Sequence, residues 1–129
     1  MIKTKCIKSP SEPSDGIRIS VMSSHTLDGV IPDTTILDTM YDLHIPELSA
    51  PNKLLGDYYK RGISWDEYEF RYLDHIRTPE IQKIIIKLIE KYDTITFLCI
   101  EEDDSKCHRR LLQEECNRLT VSISIKHEV

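Results

Sequence analysis

Cys107, His108 and Arg109 are consecutive, and they follow an acidic run, Glu101 to Asp104, in the stretch LCIEEDDSKCHRRLL (98–112). A thiol, an imidazole and a guanidinium side by side can supply a nucleophile, a proton carrier and a holder for an anion. A carboxylate such as Glu101 can orient the imidazole or a ligand hydroxyl. If the three open a helix, its free amides add to an anion site and lower the pKa of the thiol. Glu101, Glu102, Asp103 and Asp104 act against both effects, because carboxylates stabilise the positive helix end themselves. The competing structural reading takes Asp104 or Ser105 as an N-cap and Cys107 as a packing residue.

A second imidazole, His25, lies in the run Ser23-Ser24-His25-Thr26 at the end of an alternating apolar stretch. If that stretch and the one before Glu101 are parallel neighbours, His25 comes beside His108. Cys99, Cys107, His108 and Cys116 are all metal-ligand types, yet their spacing argues against a metal. Cys116 lies nine residues beyond Cys107, about half a rotation away in a helix, and Cys99 belongs to a buried strand. No metal site is expected from this set, and a mixed one from His25, Glu101 and His108 would need three segments to converge. There is no G-x-G-x-x-G, no P-loop and no G-x-S-x-G. A phosphatase-type C-x-x-x-x-x-R loop is also missing, since Ser105 and Gln113 stand six residues after Cys99 and Cys107.

The elements that must position these groups can be read from periodicity. Residues 1–8 alternate as a strand near a sheet edge, and Ile17 to Met22 alternate as a second strand. Between them SPSEPSDG (9–16) forces a loop or a single helical turn. Residues 28–52 form a long excursion with one short helix at most. Helices are expected at Asn52 to Lys60, Ser64 to Ile76 and Thr78 to Tyr92. The second carries a capping box in SWDE, and the third has Pro79 at its first position and Ile81, Ile84, Ile85, Leu88, Ile89 and Tyr92 at helical spacing. TITFLCI (94–100) reads as a central strand covered on both faces. A helix from about Ser105 to Leu119 and a last strand at 120–127 would complete a βαβ unit. Trp65 reads as a packing anchor, and Tyr58 and Tyr59 as residues under their helix.

The chain of 129 residues suits a single domain, 1–129, of α/β class: a small, mostly parallel sheet of four or five strands with helices on both faces, Rossmann-like. Its net charge of −5 gives no global field to draw in nucleic acid or an anionic membrane. The start, MIKTKCIKSP, lacks the apolar core of a signal peptide, so the expected address is cytoplasmic, with all four cysteines reduced. The oligomeric state is not written in these features.

Three blocks, SDGIRISVM, ELSAPNKLLGDYYKRGISWDEYEFRYLDHI and ITFLCIEEDDSKCHRRLL, resemble in order the domain-of-unknown-function 488 family. The chain looks like the variant with an S-R-H-T type run after the second strand, with Ser24 in place of the basic residue. The resemblance implies no particular activity or cofactor. It raises Asp15, Gly16, Arg18, His25, Trp65, Glu101, Cys107, His108 and Arg109 as matching positions. The function expected from residues and resemblance together is a pocket for a small anionic ligand, a nucleotide or phosphorylated metabolite, at the strand carboxyl ends. His108, His25, Cys107 and Glu101 are its candidate catalytic groups, and Arg109, Arg18 and Ser23 its candidate ligand holders. The alternative is a non-catalytic sensing or protein-interaction module that uses the 28–52 excursion.

Overall fold

The computed structural model describes residues 1–27, 30–101 and 106–128, with side chains of the last helix described through residue 123. Four strands, β1 (Ile2–Cys6), β2 (Ile17–Ser20), β3 (Leu43–His44) and β4 (Ile95–Cys99), form one parallel sheet in the order β1-β4-β2-β3. Four helices accompany it: α1 (Asn52–Tyr59), α2 (Trp65–Ile76), α3 (Pro79–Lys91) and α4 (His108–Glu128). The chain is thus a small Rossmann-like α/β fold. β4 lies between β1 and β2, which is why all five of its residues are buried and all but Thr96 are apolar. β1 is an edge strand, in line with its half-polar sequence.

Side chains alternate across the sheet, and the two faces differ in kind. Ile17, Ile19, Val21, Ile95 and Phe97 point to one face and share an apolar cluster with residues of all four helices, among them Leu54, Tyr72, Ile76, Ile85, Leu111 and Leu112. The other face carries Arg18, Ser20, Thr96 and Leu98, all buried, and is covered by irregular chain. The α-helices therefore gather on one face, where the sequence suggested that they divide between two. The second face is closed by the segment from Ile7 to Gly16, with a 3-10 turn at Pro13–Asp15, and by the backbone near Met40. Ten residues with two prolines are too few for a crossover helix.

Gly16 ends that turn at φ 64°, and a Cβ there would collide with the carbonyl of Thr94. Only glycine permits both the positive φ and the close approach. It keeps the start of β2 against β4, where the Ile17 amide donates to the Thr94 carbonyl (3.1 Å).

The helices form where their signals lie. Ser64 Oγ accepts the Glu67 amide at 3.1 Å, and Pro79 opens α3. The long excursion differs from expectation in containing β3, two residues that pair with Ile19 and Ser20, flanked by 3-10 turns at Asp38–Met40 and Pro46–Leu48. The expected last strand is the larger correction. Residues 120–127 continue α4, which runs unbroken to Glu128. No glycine or proline interrupts the chain after Leu119, and adding a residue to an existing helix costs little. Both flanks of β4 are already taken, so a strand from that βαβ unit has no place beside it. The expected caps, Asp104 and Ser105, and the acids Glu102 and Asp103 lie outside the described residues.

Candidate functional site

The end of β4 and the start of α4 bring together Cys99, Glu101, Cys107 and His108, on the face that holds the helices. Cys99 has the same parity as Ile95 and Phe97, so it points toward α4. Its thiol donates to Glu101 Oε2 at 3.0 Å, and the Cys107 thiol reaches the same oxygen at 3.5 Å. The other carboxylate oxygen, Oε1, accepts the hydroxyl of Tyr59 at 3.1 Å. Cys107 Sγ stands 4.0 Å from His108 Nδ1, and one atom from each of Cys99, Cys107 and His108 lies within 4.8 Å of the others. All three side chains are buried.

His108 is held from behind. Its Nε2 lies 2.8 Å from the carbonyl oxygen of Val21, just past the end of β2, and a carbonyl can only accept. Nε2 therefore carries a proton, and in the neutral ring the lone pair is on Nδ1, facing the Cys107 sulfur. Tyr72 packs edge-on against the ring at 5.4 Å.

Charge in the cluster follows from these contacts. The adjacent Cys99 thiol lowers the pKa of Cys107; burial opposes it, and the His108 bond and charge lower it further. The result lies below the usual thiol range. The Cys99 thiol is pushed up by the adjacent Cys107 sulfur, by burial and by the negative charge of Glu101. Burial lowers His108, but the Cys107 contact, the Val21 carbonyl and Glu101 together raise it. Burial raises Glu101, yet bonds from Cys99, its own amide, Tyr59 and Cys107 leave it below the ordinary carboxylate value.

Arg109 follows on α4 and is 1% exposed, with Nε and Nη1 unpartnered among the described residues. Such atoms are uncommon in folded proteins, and an ion is one of the few things that explains them.

Arg18 is also buried, but it is spent on the fold. Its guanidinium donates to Asp15 Oδ2 (2.6 Å) and to the carbonyls of Met40 (3.0 Å), Ser9 (3.0 Å) and Ile7 (3.4 Å). His25 likewise sits apart from the Cys107 cluster. Although β2 and β4 are parallel neighbours, His25 Nε2 bonds Ser20 Oγ (2.7 Å), a side chain on the face opposite Val21. There it stacks on His44 at 4.2 Å and contacts Tyr41 at 4.8 Å, and burial and His44 both lower its pKa. Ser23 lines a separate hollow of about 210 Å³ with Glu47, Ser49, Asn52 and His75. Trp65 stacks on Tyr68 at 5.0 Å under the Arg110 guanidinium.

Sequence reasoning missed Cys99, which it assigned to packing, and the anchoring roles of Tyr59 and the Val21 carbonyl. Strand parity held the signal for Cys99, because its parity is shared with the apolar residues that face the helices. Cys116, by contrast, is buried away from the cluster, with its pKa pushed up by burial to about 12.

No curated protein and no solved structure matches the chain. The family model described as the active DUF488-N3 subclade matches residues 2–118, which span the sheet, the α1–α3 layer, the Cys107–His108–Arg109 run and much of α4. The chain therefore belongs to the domain-of-unknown-function 488 (DUF488) family.

Proposed function

We propose that this protein binds a small anion, a phosphate group of a nucleotide or phosphorylated metabolite, at the carboxyl ends of β2 and β4. Arg109 is its anchor, and the sulfur, imidazole and carboxylate groups of Cys107, His108 and Glu101 are the reactive part of the site. The observation that carries this reading is the buried Arg109 guanidinium, two of whose nitrogens have no partner among the described residues. An unpaired buried cation is costly, and an anion with several acceptor oxygens relieves that cost with charge-assisted bonds. The location agrees with the general placement of ligands beyond strand carboxyl ends in open α/β sheets.

Thermal unfolding with inorganic phosphate, nucleoside monophosphates and sugar phosphates tests it. A ligand at a hundred times its Kd stabilises the folded chain by about 2.7 kcal/mol, a rise of several degrees in Tm. A response to at least one of these anions that disappears in Arg109→Gln supports the proposal. A response unchanged in Arg109→Gln, or none to any of them, overturns it.

One observation favours a second reading, a protein-interaction module. Leu27, Val30, Ile31 and Leu37 expose more than half of their surface along the excursion after β2. Concentrated exposed apolar residues mark contact surfaces. If that is their role, Ile31→Ser with Leu37→Ser abolishes association with a purified partner and leaves any phosphate response intact.

A further inference from the structure

We propose that Cys99, Cys107 and His108 bind a divalent metal ion of the zinc class, with Glu101 Oε2 as the fourth ligand. The inference does not depend on an anion at Arg109, but it gives Cys107, His108 and Glu101, the reactive groups of that reading, the role of metal ligands. Two sulfurs, one imidazole nitrogen and one carboxylate oxygen form a donor set that suits zinc and does not suit calcium or magnesium, which take oxygen. With zinc bonds of about 2.3 Å to sulfur and about 2.0 Å to nitrogen or oxygen, tetrahedral ligand atoms stand roughly 3.3–3.8 Å apart. The Glu101 oxygen is 3.5 Å from Cys107 Sγ and 3.0 Å from Cys99 Sγ, and Cys107 Sγ is 4.0 Å from His108 Nδ1. No pair among Cys99, Cys107 and His108 is wider than 4.8 Å, so a closure of about 1 Å brings these three onto one ion.

The surroundings favour the same conclusion. The Val21 carbonyl fixes the His108 proton on Nε2 and leaves Nδ1 free toward the sulfurs, the outer hydrogen bond that metal-bound histidines make. Tyr59 does the same for Glu101 by taking Oε1 and leaving Oε2. If these cysteines were only packing residues, neither the ring orientation nor a carboxylate shared by two thiols would be called for.

The test uses the full chain, stripped of metal under reducing conditions and titrated with Co²⁺ and then Zn²⁺. One cobalt per chain is expected, with thiolate-to-cobalt charge-transfer absorption and the intense visible bands of tetrahedral geometry, all displaced by zinc. Cys99→Ser and His108→Gln should each weaken zinc binding at least tenfold, whereas Cys116→Ala, outside the cluster, leaves it unchanged. If the Cys99 variant does not fold, mass-spectrometric alkylation of the wild-type chain decides, with zinc protecting Cys99 and Cys107 but not Cys6. Absence of the charge-transfer band, a cobalt spectrum that survives His108→Gln, or equal labelling of Cys99 and Cys107 with and without zinc overturns the site. The phosphate response of the stripped wild-type chain is measured separately, so failure of the metal site and failure of the anion site give different results.

Discussion

Arg18 and Arg109 are both buried beside the same sheet, on opposite faces, and their surroundings could hardly differ more. Arg18 makes an ion pair and three carbonyl bonds that tie β2 to the covering segment and to the approach to β3. Arg109 leaves two nitrogens without partners among the described residues. A guanidinium with its donors satisfied by its own chain has little left for a ligand, and one with donors in reserve weakens the fold unless something else fills them. The face without α-helices thus uses buried charge as a structural tie. The helix-bearing face keeps charge, sulfur and imidazole next to one another at the end of β4.

Stability separates the two arginines. Arg18→Met leaves the fully buried Asp15 with only Lys5 and the Glu12 amide, so the expected loss is about 3–5 kcal/mol, read from urea unfolding midpoints. Arg109→Met removes an incompletely paired charge and should cost far less, while abolishing the response to phosphate. Equal losses from the two variants would erase the distinction between tie and anchor.

What could be read from the sequence, and what could not, follows the same division between local and distant causes. The capping box of α2, the Pro79 start of α3 and the apolar run of β4 are local signals, and each element formed where its signal lies. β3 has two residues, too short for any alternation, and exists because the edge of β2 accepts it. Residues 120–127 alternate like a strand, but the decision belonged to the neighbours of β4, which no local pattern encodes. At the site, Cys107 and His108 stood out by type and position. Cys99, inside a buried strand, reads as packing, while its parity aims it at the start of α4. His25 has the right chemistry and the right strand end, but on the wrong face to reach His108.

Acid sharpens the comparison, since Asp15 on one face and Glu115 on the other both lie far below their ordinary values. Burial would raise Asp15, but Lys5 and Arg18 hold it at about 2, and Arg118 with Arg77 brings Glu115 on α4 to about 2 against burial. Folded values below the unfolded 3.8 and 4.5 mean stability that is complete above the unfolded values and is lost as pH falls through them toward 2. Urea midpoints should therefore drop between about pH 5 and about pH 2. Glu115→Gln should cost about 1–3 kcal/mol at neutral pH and make that drop shallower. If the drop keeps its full size in Glu115→Gln, the ion pairs of Glu115 with Arg77 and Arg118 contribute nothing to it.

The smallest effect concerns where the helix-bearing face ends. Val121 lies in the part of α4 that alternates like a strand, and it is 60% exposed. In a helix, exposed valine loses side-chain freedom against the preceding turn, so Val121→Ala should gain about 0.5 kcal/mol and raise the helical signal in circular dichroism. In a strand the sign reverses, because β-branched residues suit the pleated surface and alanine does not. A higher urea midpoint thus confirms helix through this segment. A lower one restores a fifth strand, which could pair only at an outer edge of the sheet, since both flanks of β4 are taken.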